Sequence, residues 1–62
     1  MQVHVICIND GIEFAVIDDK IKAEIKMNQL SDAYYDRNKF AFKDKEDYKR
    51  QCYWHIHTVN GF

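Results

Sequence analysis

The chain has 62 residues, nine of them basic and ten acidic, for a formal net charge of −1. That balance is too neutral for a DNA mimic and too weakly basic for a dedicated nucleic-acid binder. Hydrophobic residues make up 47% and aromatics 15% of the chain, which supplies a core and excludes a disordered polymer.

The length fits a single small domain spanning residues 1–62. A chain this short buries only about 60% of its unfolded surface, so its stability is marginal unaided. The usual supports are disulfides, a metal or oligomerisation. There is no proline and there are only two glycines, so nearly all the chain is expected in regular elements.

Gln2 to Ile8 is β-branched and apolar, and reads as a strand. Asn9-Asp10-Gly11 follows. Asp-Gly between apolar runs is a hairpin signal because glycine accepts positive φ. Ile12 to Ile17 is the return strand. Strict alternation puts Ile12, Phe14 and Val16 on one face and Glu13, Ala15 and Ile17 on the other.

Lys20 to Met27 supports two readings. At period two it is a third strand, with charged residues on one side and aliphatics on the other. At period 3.6, Ala23, Met27, Leu30 and Tyr34 form one stripe. The stripe continues where the alternation dies, so the helix is the preferred reading. Asp18 and Asp19 suit its N-terminus, and Arg37 and Lys39 its C-terminal end. Ile21 and Ile25 fall off the stripe and are assigned as a self-association strip.

Asn38 to Lys43 is a connection carrying Phe40 and Phe42. Asp44 caps a short second helix to about Gln51, with Asp47 imitating a capping box. The closing strand is Cys52 to Val59, stopped by Asn60-Gly61. The expected fold is α+β: a three-stranded antiparallel sheet (β-β-α-(α)-β) with one long helix and a short second helix on one face. The last strand pairs beside the first. Trp54 and Ile56 then face the helix-covered core together with Cys52, and Tyr53, His55 and His57 stand on the open face.

His55-x-His57 is the sharpest chemical pattern, because two imidazoles at that spacing share a strand face and can bind zinc. His4 or Glu13 would have to complete the site, and no compact Cys/His signature accompanies the pair. No metal or cofactor is therefore assigned. Cys7 and Cys52 lie in apolar runs and read as reduced core thiols, not nucleophiles. No catalytic residues are assigned, and the chain reads as non-enzymatic. With no secretory signal and no membrane-length apolar run, the expected location is the cytoplasm.

Residues 34–50 interleave aromatics with bases, which is the pattern of a single-stranded nucleic-acid groove. From Asp36 to Arg50 there are six bases and four acids, a surplus of two. This is the alternative reading of function. The other use of these rings is to finish the core. The apolar surplus of Ile21, Ile25, Tyr35, Phe40, Phe42, Tyr53 and Phe62 is either buried by the connection or left as an interface.

The layout has a relative in style. It opens on a short strand, turns at Asn-Asp-Gly, and continues in a Lys/Ala/Glu helix ending Asp-Ala-Tyr-Tyr. A charged Asp-Lys-Glu-Asp-Tyr-Lys-Arg stretch then leads to Tyr-Trp-His-Ile-His-Thr-Val. This resembles small uncharacterised proteins of tailed bacteriophages. The resemblance implies a protein that binds and inhibits or modulates a host protein, defence systems included, in the host cytoplasm. On that reading Tyr35, Phe40, Phe42, His55 and His57 are the partner-binding residues, and a homodimer is expected.

Overall fold

A computed structural model describes residues Met1 to Asn60. Strand β1 (Gln2–Ile8) turns back into β2 (Gly11–Ile17) through Asn9 and Asp10. Helix α1 (Lys20–Asn38) follows, then a 3₁₀ turn (Lys39–Ala41), helix α2 (Lys45–Gln51) and strand β3 (Trp54–Asn60). The sheet is antiparallel in the order β2-β1-β3, so the first strand is central. The fold is the α+β arrangement expected from the sequence.

Two left-handed residues hold the ends of the central strand. Asn9 has φ 51° and Asp18 has φ 62°. Asn9 donates its N–H to Tyr53 O at 2.7 Å, and its Oδ1 accepts the Tyr53 N–H at 2.9 Å. Asp18 does the same with Gln2: its N–H meets Gln2 O and its Oδ1 accepts the Gln2 N–H, both at 2.8 Å. Asn and Asp tolerate this backbone because their short side chains hydrogen-bond locally. The hairpin thus departs from the sequence expectation. Gly11 is not at positive φ; Asn9 takes the strained position instead.

Alternation along β2 also fails at one point. Ile6 pairs with Phe14 but Cys7 pairs with Ile12, so Glu13 is the extra residue of a β-bulge. Ile12 therefore shares a face with Cys7 and not with Phe14 and Val16.

Lys20–Met27 is helical. Asp19 caps α1, its Oδ1 accepting the Lys22 N–H at 3.0 Å. Ala23 is fully buried, and Met27, Leu30 and Tyr34 are half-buried along the predicted stripe. Ile21 and Ile25 are left exposed at 71% and 53%. Asp44 caps α2 by accepting the Asp47 N–H at 2.8 Å. The return bond of the capping box is displaced by one residue: Asp47 accepts from Lys43 N, not from the cap itself. β3 begins at Trp54, two residues later than the sequence implies. Cys52 ends α2 instead, with its N–H on Tyr48 O at 2.8 Å. Gly61 and Phe62 lie outside the described residues.

The interior has two centres. Beneath the N-terminal half of α1, Ile6 and Ala23 are fully buried, and His4 is buried with its Nδ1 2.9 Å from Thr58 Oγ1. Beneath the C-terminal half, Tyr48 is 2% exposed among Tyr34, Tyr35, Phe42 and Trp54. Its Oη accepts the Trp54 indole N–H at 2.7 Å and donates to Ser31 O at 3.0 Å. Ser31 Oγ lies 2.8 Å from the same oxygen. A buried tyrosine hydroxyl needs such partners. No helix of the described residues is long and apolar enough to cross a membrane.

Candidate functional site: the open sheet face

Side chains of directly paired residues point to the same side of a sheet. Trp54 pairs with Ile8, Ile56 with Ile6 and Thr58 with His4, and all of these face α1. The opposite side collects Val3, Val5 and Cys7 from β1, and Ile12, Ala15 and Ile17 from β2. His55, His57 and Val59 come from β3. None of these nine residues is formally charged at neutral pH with neutral imidazoles.

No element of the described residues covers this face. Ile12 is 74% exposed and Ile17 57% exposed, and Val59 is also exposed. Cys7, between Ile12 and His55 on the central strand, is buried by its neighbours, and its thiol donates to Val5 O at 3.8 Å. Tyr53 extends the patch past the start of β3 and stacks on His55, ring centroids 4.9 Å apart at 17°. An open face of an antiparallel sheet normally alternates toward polar residues. This one remains aliphatic, and apolar patches of that kind mark interaction surfaces.

The histidines do not form a metal centre with the residues considered for it. His4 faces the helix layer, on the other side of the sheet from His55 and His57, and is engaged by Thr58. Glu13 sits at the bulge on β2, and β1 lies between it and β3. Among the described residues no group of three or more His, Cys, Asp or Glu side chains converges. His55 is half-buried, and its Nδ1 lies buried without a hydrogen-bond partner among the described residues. His57 is exposed.

The basic-aromatic segment is divided by the fold. Tyr35 lies 5.1 Å and Phe42 5.2 Å from Tyr48, centroid to centroid, and both are half-buried. Tyr34 stacks on Tyr48 at 6.1 Å. These rings face one another, which leaves Phe40, 89% exposed, as the free ring of the segment. Asp47 accepts from Lys43 N, Gln51 Nε2 and Arg50 Nη2, and these donors hold its carboxyl below the usual value of 3.8. Burial raises the Cys52 thiol above its ordinary 9.0, which keeps it protonated.

A second exposed surface lies between β2 and α1. Phe14, Val16 and Ile25 line a groove of about 270 Å³ bordered by Lys22, Lys26 and Gln29. The Lys26 ammonium sits 4.7 Å above the Phe14 ring. Sequence reasoning missed the extent of the open face. The signal was present in the absence of charge from Gln51 onward, but the bulge that adds Ile12 to it carries no sequence mark.

Comparison of the chain with protein-family models, with curated proteins and with solved structures finds no match.

Proposed function

We propose that this is a small non-enzymatic binding protein that acts by protein–protein contact through its open sheet face. The observation that carries the reading is the uncharged, exposed aliphatic surface formed by Ile17 and Val59 on either side of Val3 and by Ile12 beside Cys7. A polar rim at His57 and the Tyr53–His55 stack complete it. Tyrosine and histidine beside aliphatics suit a contact surface, since their rings bring area with little conformational entropy to lose. The resemblance in layout to small tailed-phage proteins is what supports a host protein as the partner and the host cytoplasm as the place of action. Inhibition or modulation of that protein, a defence factor among the candidates, is the resulting activity.

The test is capture of a stoichiometric partner by the folded protein, compared with the Ile12→Lys, Ile17→Lys double variant. Both positions are exposed, so the variant should fold, which circular dichroism will verify. Loss of capture in the variant, with retention in an Ile21→Ser control on α1, supports the face. Equal capture by all three proteins, or no stoichiometric partner at all, sinks the reading.

A further inference from the structure

We propose that two copies of the chain pair antiparallel through their β3 strands, about a two-fold axis at His57, joining two three-stranded sheets into one. The argument starts from the two outer strands, β2 and β3. An outer strand exposes unpaired N–H and C=O groups, and proteins blunt such edges with charges, prolines or bulges. β2 is blunted twice, by the bulge at Glu13 and by its carboxylate.

β3 has none of these devices. From Gln51 to the end of the chain there is no charged residue and no proline. Its register with β1 is unbroken from Gln2↔Asn60 to Ile8↔Trp54. Among the described residues, no backbone hydrogen bond outside that ladder reaches Trp54 to Asn60. The outward row is therefore a regular seven-residue template.

The strand also fits itself. With the axis at His57 all seven residues find a partner. His55 opposes Val59 of the second copy, Ile56 opposes Thr58, and Trp54 opposes Asn60. Side-chain parity is kept, so each helix-covered face continues into a helix-covered face. No formal charges oppose one another, as an isologous contact requires. The two open faces become one surface of twice the width. The pairing does not depend on partner binding by that surface.

Sedimentation equilibrium of the full chain over a range of concentrations should fit twice the 7.5 kDa chain mass. His57→Glu puts two carboxylates at the axis and should raise the dimer dissociation constant about fivefold or more. Ile17→Lys, on β2 and away from the axis, should leave it unchanged. His57→Cys should form an interchain disulfide under mild oxidation, because paired Cα atoms across antiparallel strands lie within disulfide reach. A monomer at all concentrations overturns the proposal. So does failure of the His57→Cys protein to cross-link, or a dimer dissociated by Ile17→Lys and not by His57→Glu. Capture of a partner by a protein that stays monomeric would leave the binding reading standing alone.

Discussion

The Trp54 indole N–H meets the Tyr48 hydroxyl at 2.7 Å, and that oxygen is the point where β3, α2 and α1 are tied together. Tyr48 is the one buried residue of α2, and its ring also carries the stacking of Tyr34, Tyr35 and Phe42. Tyr48→Phe keeps the ring and removes the oxygen. It leaves the Trp54 N–H and the Ser31 carbonyl without this partner, at a cost of about 1–3 kcal/mol. The expected loss in Tm is roughly 8–24 °C by thermal unfolding. An unchanged Tm would show that the hydroxyl carries none of this structure.

The hairpin predicts an inverted pattern of glycine sensitivity. Asn9→Ala loses the acceptor for Tyr53 N and forces alanine to positive φ, costing about 1–3 kcal/mol. Gly11→Ala meets only Ile8 O, at an ordinary contact of 3.6 Å. It should be neutral or stabilise by about 0.4–1 kcal/mol through the unfolded chain. Urea midpoints of the two variants check this. A destabilised Gly11→Ala protein beside an unaffected Asn9→Ala protein would reverse the assignment of strain.

Phe40 and Phe42 are two residues apart and should behave differently. Phe40→Ala should change stability by no more than about 0.5 kcal/mol, because the ring is exposed. Phe42→Ala removes a ring packed on Tyr35 and Tyr48 and should cost about 1–3 kcal/mol. Equal effects in chemical denaturation would contradict the division of the segment.

Asp47 gives the chain a pH signature. Its carboxyl is held below 3.8, chiefly by the Lys43 N–H and then by Gln51. As the pH falls through the unfolded value, the unfolded chain takes up the proton first. The contribution of Asp47 is therefore complete above that pH and is lost as the pH drops through the native value. The urea midpoint of wild type should exceed that of Asp47→Asn at neutral pH, and the gap should narrow as the pH falls below 3.8. A gap of the same size at neutral and at low pH would remove Asp47 from the account.

His55 should be replaceable. Its Nδ1 is buried without a partner among the described residues, while its ring stacks on Tyr53. His55→Phe keeps the stacking and removes the unpaired polar atom, so Tm should stay level or rise. His55→Ala should destabilise the fold through the lost stack, by about 0.5–1.5 kcal/mol. A large fall in the phenylalanine variant would show an essential polar role for the imidazole.

Much of this was legible along the chain. The stripe Ala23, Met27, Leu30 and Tyr34 outlasts the alternation at Lys20–Met27, and a 3.6 period sustained that far has only a helical solution. Asp19 and Asp44 cap the helices because a short acceptor before a helix satisfies N–H groups that have no other partner. Side-chain parity in β3 separated Trp54 and Ile56 from His55 and His57, since a strand can only alternate. The destinations of Tyr35, Phe42 and Phe40 were not legible, because composition is blind to which ring turns inward.

The sequence by itself determined the element order, the helix caps and the two faces of the closing strand, all of which follow from periodicity and local hydrogen bonding. Only the tertiary structure decided that Asn9 and not Gly11 bears the left-handed turn, because Asn9 alone can bind Tyr53 across the sheet. It also decided that Glu13 bulges and sends Ile12 to the open face. Both outcomes depend on partners more than forty residues away or on another strand, and no local pattern encodes them.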